Sequence, residues 1–362
     1  MNKLLVGAIA VGLFGSAAVF ADGIATAETA LIVPGTAPSP YGPLRALYHF
    51  NPATQPQIGE NYYDSANATK VVIPYPGSFW PVTGLDSPTL AQSVDIGTNN
   101  LDGGIRSTSG PVVVTGLSQG TLALDAEQAR LANDPNAPPP GQITFIKAGD
   151  PGHLLAKAFE PGTRVPIIDY TVPAPVDSQY NTIDIVGQYD PFSDPPDRPG
   201  NLLADLNAVT AGGYYGHSAT AFSDPASLPP EDVTTTTNNR GGTTTTYFVP
   251  AQQLPLARAL QDMAGLSPEK AQRLDELLRP MVDSAYGPND HSSSATLVRS
   301  TPPVIVPPAV VPPVAVPAAV AGPALTGPLP AAPALAGRHP APPPNVKAVL
   351  NQVRSLLPGG NG

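Results

Sequence analysis

The chain has 362 residues, of which 41% are hydrophobic and only 13% are charged, and its net charge is −10. This length allows one large domain or two ordinary ones. The acidic balance argues against nucleic acid as a partner, because phosphate binding needs a surplus of Lys and Arg. The absence of Cys excludes disulfides and thiolate catalysis, and the five His are too scattered for a zinc site. We therefore predict no metal and no cofactor, and the sequence specifies no oligomeric state.

The N-terminus has the pattern of an export signal. Lys3 supplies a positive charge, an apolar stretch follows from Leu4 to Phe14, and Val19-Phe20-Ala21 resembles a small-residue cleavage site. We predict a signal peptide over residues 1–21, which places the protein outside the cytoplasm, secreted or in the cell envelope. The alternative is an uncleaved anchor, because the uncharged stretch is borderline in length for a membrane span.

Between the signal and a Pro-rich tail, strand-like and helix-like segments alternate. The strand-like segments are nearly continuous apolar runs, which is typical of parallel strands buried on both faces. Alternation of strand and helix predicts an α/β sheet with right-handed crossovers. The predicted strands are Ala30–Val33, Lys70–Pro74, Val112–Thr115, Gln142–Lys147 and Thr182–Val186, and the predicted helices lie around Leu44–Phe50, Thr89–Leu101, Thr121–Leu131 and Leu202–Val209.

The stretch VVVTGLSQGTLALDAE places Ser118 where a buried strand turns into a helix. A G-x-S-x-G match is weak alone, but here Gly116 and Gly120 leave room for a strained turn that lifts the serine out of the sheet. The helix behind it directs free N–H groups toward a developing oxyanion. We predict that Ser118 is a nucleophile at the elbow of an α/β-hydrolase fold formed by residues 23–290, with a mostly parallel central sheet flanked by helices. A serine that caps the helix is the alternative.

A nucleophilic serine needs a base and an orienting acid, which follow it in this fold in the order acid, then histidine. We predict His217, in a Gly-flanked loop, as the base, and Asp190, just past the end of a strand, as the acid. His153 and Asp150 remain the rival base and the rival acid, because both follow the preceding strand.

The oxyanion hole needs two backbone N–H groups. We predict that Gln119 supplies one and that Thr36, in the loop after the first strand, supplies the other. Four aromatic residues near the expected site edge suit an apolar acyl chain, although such residues are more often core: Phe79, Trp80, Tyr189 and Phe192.

The C-terminal part changes composition abruptly. Residues 291–344 are predicted to be a linker rich in Pro, Ala and Val, because so many prolines remove backbone donors and prevent helix or sheet. We interpret this linker as a semi-rigid extended spacer, whose apolar character leaves contact with the cell envelope open. Residues 345–362 are predicted to form a short helix or tail.

Between Ala30 and Gly287 the chain resembles the PE-PPE domain of mycobacterial and related actinobacterial proteins. Six segments carry the resemblance, in the expected order: ALIVPGTAPSP, KVVIPYPGSFWPVTGL, VVVTGLSQG, IKAGDPGHLL, IVGQYDPFSDPPDRPGNLLADLNAVTAGGYYGHSAT, and TTTTYFVPAQQLPLARAL with LDELLRPMVDSAYG. That family is similar to cutinases and other serine α/β hydrolases, and its members are secreted esterases or lipid acyltransferases.

The resemblance implies that the nucleophile, acid and base are Ser118, Asp190 and His217, in agreement with the residues themselves. The chain departs from the family pattern at Gly120, where many members have Ser. It departs again at Gly152-His153, where the family has a Pro-Asn-Gly-Gly run.

Three functions are compatible with this sequence. We predict a secreted serine esterase or lipase that hydrolyses short- to medium-chain acyl esters through an acyl-enzyme on Ser118. The alternative is an acyltransferase that uses the same residues to move acyl groups onto a cell-envelope glycolipid such as a trehalose ester. The third is a non-catalytic envelope interaction protein, because a fold does not imply a function. In the first two, the partner is an acyl ester or lipid substrate.

Overall fold

The computed structural model describes residues 28–37, 52–198 and 200–287. The predicted signal peptide, the Pro-rich linker, the C-terminal helix or tail and the predicted helix around Leu44–Phe50 lie outside these residues. The described chain forms two compact units. The first contains the described residues up to Pro195 together with Ala211–Val249, and the second contains Pro196–Thr210 and the described residues from Pro250 onward.

The strands of the first unit are β1 (Thr29–Val33), β2 (Thr69–Val72), β3 (Val112–Leu117), β4 (Ile143–Ala148), β5 (Arg164–Val165), β6 (Tyr170–Thr171), β7 (Asn181–Gly187), β8 (Val233–Thr237) and β9 (Thr243–Val249). Seven of them form one sheet with the strand order β2-β1-β3-β4-β7-β9-β8. All neighbouring strands in this sheet pair in parallel except the edge strand β8, which pairs antiparallel with β9. A separate antiparallel pair is formed by β5 and β6.

Three α-helices belong to this first unit: α1 (Leu90–Ser107), α2 (Gln119–Ala132) and α3 (Pro151–Ala158). Helix α1 begins where predicted, because Thr89 and Gln92 form a reciprocal capping box. Alternate residues of the central strands are buried on opposite faces. Leu31 and Val114 pack with the α1 and α2 side, whereas Ile32 and Val113 pack in a second cluster. The mostly parallel sheet buried between helices and loops confirms the predicted α/β-hydrolase fold.

The second unit consists of α4 (Leu202–Thr210), α5 (Pro255–Ala264) and α6 (Pro268–Asp283), which pack against one another. The buried Asn207 accepts a hydrogen bond from the Leu256 N–H at 3.1 Å, which joins α4 to α5. Helix α5 ends at Gly265, whose left-handed φ of 66° suits glycine. In the part of the chain that the structure describes, none of the helices has the length and apolar character needed to cross a bilayer.

Candidate active site

Ser118 joins β3 to α2 in a backbone conformation that L-residues rarely adopt, with φ 54° and ψ −125°. Its N–H donates to the Ala148 carbonyl at the end of β4 over 2.9 Å, and its carbonyl accepts from the Thr121 N–H at 2.8 Å. Ser118 therefore occupies the cap position of α2, but its side chain makes no capping hydrogen bond within the described chain. The hydroxyl is not used to hold the helix.

The glycines around the serine are explained by close backbone approach. A Cβ at Gly120 would lie 2.1 Å from the Val33 carbonyl oxygen, so no side chain fits there while β1 ends where it does. A Cβ at Gly116 would lie 3.0 Å from the Leu124 side chain, which is tighter than ordinary van der Waals contact. Both predicted elbow glycines thus allow the serine turn to sit between the end of β1 and the first turn of α2.

The two predicted oxyanion donors lie on segments that meet at the elbow. Gln119 is the first residue of α2 and is only 2% exposed, and its side-chain amide donates to the Ser78 carbonyl at 2.7 Å. The loop after β1 approaches from the other side, because a Cβ at Gly35 would lie 3.2 Å from the Ser118 Cβ. Thr36 follows Gly35, and the next N–H, that of Ala37, donates to the Gly77 carbonyl at 2.7 Å.

Asp190 and His217 form a buried pair. The His217 Nδ1 lies 2.9 Å from the Asp190 Oδ2, and the two side chains are 3% and 0% exposed. Burial alone would raise the pKa of the Asp190 carboxyl. The adjacent His217, together with hydrogen bonds from His217, Ser193 and the Phe192 N–H, outweighs burial, and the pKa is lowered. Asp190 is therefore an ionised partner that fixes the orientation of the imidazole.

The His217 ring and the Ser118 elbow are both placed by the end of β4. Ala148 accepts the Ser118 N–H, and a Cβ on the next residue, Gly149, would lie only 2.8 Å from the His217 Cε1 and Nδ1. The centroid of the Phe192 ring lies 4.5 Å from that of the imidazole, and the two ring planes are tilted by 49°. The Nε2 of His217 is buried and has no hydrogen-bond partner among the described residues. Of the two ring nitrogens it is the unengaged one, and within the described chain no hydrogen bond joins it to the Ser118 hydroxyl.

His153 and Asp150, the rival base and the rival acid, have other hydrogen-bond partners. The Nε2 of His153 lies 3.1 Å from the Asp184 Oδ2, and its Nδ1 lies 2.9 Å from the Ser193 carbonyl. Burial acts to lower the pKa of His153, but the neighbouring Asp184 and other partners raise it to about 10. Asp150 caps α3 through the Gly152 N–H at 2.8 Å and accepts from the Thr121 hydroxyl at 2.7 Å. The structure thus pairs His217 with Asp190 and leaves His153 to Asp184.

Of the four aromatic residues expected at the site edge, Phe192 lies against His217. Tyr189 is buried, and Phe79 packs against the main hydrophobic cluster. Of the other three, Tyr189 and Phe79 contribute to the core, and Trp80 is partly buried with its backbone N–H donating to the Pro88 carbonyl at 3.0 Å.

Ser193 and Asp194 were not predicted to act at the site. Ser193 donates its hydroxyl to the Asp190 Oδ2 at 2.7 Å, and Asp194 accepts the N–H of Tyr189 at 2.8 Å. Tyr189 has a positive φ of 66°, so the Asp194 carboxylate stabilises an unusual turn just before Asp190. A weak signal was present, because Ser and Asp three and four residues after an Asp often bond back within a turn.

Comparison with known proteins identifies a matching family and several named relatives. The model of a family described as the PE-PPE domain matches residues 66–287. The SL1278 acyltransferase Chp1 of Mycobacterium tuberculosis (strain ATCC 25618 / H37Rv) is 69% identical over 288 residues, which are 80% of this chain and 71% of that protein. From the same strain, the diacyltrehalose acyltransferase Chp2 is 40% identical over 349 residues, 86% of this chain and 96% of that protein.

Esterase PE16 of the same strain is 34% identical over 250 residues, 65% of this chain and 46% of that protein. An esterase relative agrees with the hydrolysis that the sequence analysis put first, but the two acyltransferases match more of the chain at higher identity. The relatives therefore favour the acyltransferase alternative. Because the family model covers more than half of the sequence, the chain belongs to the PE-PPE domain family.

Proposed function

We propose that this chain is a serine acyltransferase that moves an acyl group from an ester donor to a hydroxyl group of a glycolipid. The observation that carries the proposal is the buried Asp190–His217 pair beside the strained Ser118 elbow. The nucleophile, the acid and the base follow one another along the chain in that order, as in other α/β hydrolases. The names of Chp1 and Chp2 support transfer as the main activity, and the name of PE16 supports hydrolysis as the side reaction.

In the first half-reaction, the Ser118 Oγ attacks the ester carbonyl carbon while its proton moves to the His217 Nε2. The carbonyl oxygen becomes an oxyanion, which accepts hydrogen bonds from the Gln119 and Thr36 N–H groups. Collapse of this intermediate breaks the bond to the alcohol, which leaves with the proton from Nε2. The products are a free alcohol and an acyl ester on Ser118.

In the second half-reaction, a hydroxyl group of the acceptor gives its proton to the His217 Nε2 and attacks the acyl carbon. The bond to the Ser118 Oγ breaks, and the serine regains a proton from the imidazolium. Water in place of the acceptor gives a free acid. Asp190 stays ionised throughout and stabilises the charge on the imidazole, in keeping with its lowered pKa.

The base is shielded from bulk solvent. The His217 side chain is only 3% exposed, and the Phe192 ring lies against it. A bound acceptor must therefore displace what remains of the water near Nε2 and present its own hydroxyl group there. Exclusion of water is what a transferase needs if an acyl-enzyme is to survive until the acceptor arrives. The preference for transfer itself comes from the names of Chp1 and Chp2.

Product partition tests this proposal. We expect an acyl-labelled ester donor and a trehalose ester acceptor to yield acylated sugar that grows with acceptor concentration while free acid falls. Free acid as the main product at every acceptor concentration would replace transfer with hydrolysis.

Ser118→Ala tests the shared chemistry. It should abolish both products and the labelling by a fluorophosphonate probe. Ser178→Ala, which removes a hydroxyl from a buried serine away from the elbow, should retain the products and the labelling. Labelling that persists in Ser118→Ala would remove Ser118 from the mechanism.

We also propose that the protein acts outside the cytoplasm. The support is the signal-peptide pattern of residues 1–21 and the lipid named in the description of Chp2. N-terminal sequencing of protein recovered from the culture filtrate or cell envelope should begin after Ala21. Protein found only in the cytoplasm with Met1 retained would refute export.

A further inference from the structure

We propose that Ser193 is a positioning residue for the Asp190–His217 pair, and that His153 in turn holds Ser193. This inference rests on the proposed function, because it assigns these two residues to the support of the same base.

The Asp190 carboxylate is held from three directions. Its Oδ2 accepts the Ser193 hydroxyl at 2.7 Å and faces the His217 Nδ1 at 2.9 Å, while its Oδ1 accepts the Phe192 N–H at 3.2 Å. Ser193 is 4% exposed, and its oxygen accepts the Gly187 N–H at 3.4 Å from the end of β7. That contact favours one orientation of the hydroxyl, with its proton directed at Asp190. Ser193 and His217 therefore share one carboxylate oxygen.

Helix α3 holds the backbone of the same turn. The Leu154 N–H donates to the Phe192 carbonyl at 3.0 Å, and the His153 Nδ1 lies 2.9 Å from the Ser193 carbonyl. The pKa of His153 is raised to about 10, so both of its ring nitrogens carry protons at neutral pH and both donate. One donates to Ser193 and the other to Asp184, which lies 3.1 Å away. His153 thus acts on the Asp190 turn through Ser193.

Because Ser193 and His217 contact the same oxygen of Asp190, the Ser193 hydroxyl changes the charge that Asp190 presents to the imidazole. A contact that only supports the fold would not do this. A donor on Oδ2 disperses part of the carboxylate charge, whatever the charge of His217. Without that donor, more of the negative charge is directed at the imidazolium and stabilises it. We therefore expect the acid limb of the rate profile to move to higher pH.

The other charged groups on the elements around the pair have partners of their own. Asp150 bonds Thr121 and the Gly152 N–H, Asp184 pairs with His153, and Asp194 accepts the Tyr189 N–H. The hydrogen bonds named for these groups do not involve the Ser193 hydroxyl, so we expect a shift of the limb to act through Asp190.

The test compares Ser193→Ala with Ser178→Ala. Ser178 is 2% exposed, and its hydroxyl oxygen accepts the Tyr180 N–H at 3.2 Å. We expect Ser193→Ala to lower kcat about tenfold with little change in KM, because a hydrogen bond to a charged group is lost. The midpoint of the acid limb of kcat/KM should rise by roughly half a pH unit. Ser178→Ala should change neither quantity. An unmoved midpoint in Ser193→Ala, or an equal shift in both variants, would overturn the proposal.

A double-mutant cycle tests the role of His153. His153→Ala should lower kcat by roughly two- to fivefold in the wild-type background and have almost no effect on kcat when Ser193 is already Ala, because it acts through Ser193. If the effects of His153→Ala and Ser193→Ala on kcat were fully additive, His153 would not act through Ser193. Melting curves check folding, and Ser193→Cys, which keeps a weaker donor of similar size, replaces Ser193→Ala if the latter does not fold.

Failure of this inference is distinguishable from failure of the proposed function. If Ser118→Ala and His217→Ala lose activity while Ser193→Ala behaves like Ser178→Ala, only the role of Ser193 is wrong. If Ser118→Ala retains acyl transfer, the proposed function itself is wrong.

Discussion

Two histidine–aspartate pairs involve β7, one with its Asp in the strand and the other with its Asp in the turn that follows. The N–O distances are similar, 3.1 Å for His153–Asp184 and 2.9 Å for His217–Asp190. Their surroundings differ. The side chain of His153 is 38% exposed, whereas that of His217 is 3% exposed. Distance alone therefore does not separate a structural pair from a candidate catalytic pair.

What separates them is the state of the second ring nitrogen. Both nitrogens of His153 have partners, and its pKa of about 10 keeps it protonated at neutral pH, so it has no lone pair with which to accept a proton. The Nε2 of His217 has no hydrogen-bond partner among the described residues, and its other nitrogen faces an ionised carboxylate. A general base needs a ring nitrogen that has no other partner and points in a fixed direction, and of these two pairs only the second offers one.

The largest expected effect comes from breaking the buried pair. His217→Ala should lower kcat for acyl transfer by roughly a thousandfold or more, and Asp190→Asn by roughly a hundredfold or more, because the imidazole loses its tautomer control and its counter-charge. His153→Ala should lower kcat by less than about tenfold. Steady-state kinetics on the three purified variants make the comparison, and a loss in His153→Ala equal to that in His217→Ala would reverse our assignment of the base.

A smaller effect should follow from crowding the His217 ring without replacing it. Gly149→Ala places a Cβ 2.8 Å from the His217 Cε1 and Nδ1, so the imidazole must move away from Asp190, and we expect kcat to fall by roughly tenfold to a hundredfold. Gly162→Ala is the matched control, because Gly162 also has a positive φ but no atom of the described residues lies within 4 Å of its Cβ position. Equal kcat in the two alanine variants would mean that the His217 ring is not confined as described.

The pH dependence of kcat/KM should also distinguish the two histidine–aspartate pairs. The pKa of Asp190 is lowered and that of His153 is raised to about 10, so neither group changes charge between about pH 5 and 9. A limb of kcat/KM in that range, with activity rising as pH rises, should therefore persist in His153→Ala. The pKa of Asp125 is raised to about 6, chiefly by burial, and Asp125→Asn is the control for this group. Disappearance of the limb in Asp125→Asn or in His153→Ala would assign it to that residue.

The smallest expected effect concerns stability. The pKa of His153 is raised above the ordinary value of 6.5 to about 10, so the folded state binds this proton more tightly than the unfolded state. The stabilisation is fully present below about pH 6.5 and is lost as pH rises through about 10. The melting temperature of His153→Ala should lie roughly a few degrees below that of wild type at pH 6, and the gap should narrow by pH 10. A gap that does not change with pH would mean that the His153–Asp184 charge pair does not stabilise the fold.

The buried centre of the sheet could be predicted from the sequence because its strands carry continuous apolar runs. The five predicted strands are present within about two residues at each end, and the helix after Ser118 begins two residues earlier than predicted. Helix α1 continues from the predicted end at Leu101 to Ser107, through Gly103 and Gly104, which lower helix propensity. Tertiary packing overrides propensity there, since Ile105 is buried in the core.

The edge of the sheet was missed for a physical reason. Strands β8 and β9 are runs of threonine, and β8 is exposed along most of its length, so neither shows the apolar pattern of a buried strand. The β-branched threonines on both sides of a turn that contains Gly241 and Gly242 were the available signal.

The roles of Ser193 and Asp184 depend on which side chains meet across the turn after β7. No spacing in the sequence states that Asp184 would face His153, or that the Ser193 hydroxyl would reach the same oxygen as His217. Local order in the chain predicted Asp190 and His217 as a pair, and their proximity is what the structure adds. Their chemical roles stay a prediction until the variants are measured.

The backbone of Ser118 has a consequence for how such proteins diverge. A non-glycine residue held at φ 54° and ψ −125° is strained, which lowers the stability of the fold by about 1–3 kcal/mol. Glycine adopts this conformation without penalty, so Ser118→Gly would relieve the strain and remove the nucleophile in one step. Selection for acyl chemistry must keep opposing that substitution. A descendant protein freed from that selection, for example one kept only as an envelope scaffold, should drift to glycine here early and become easier to fold.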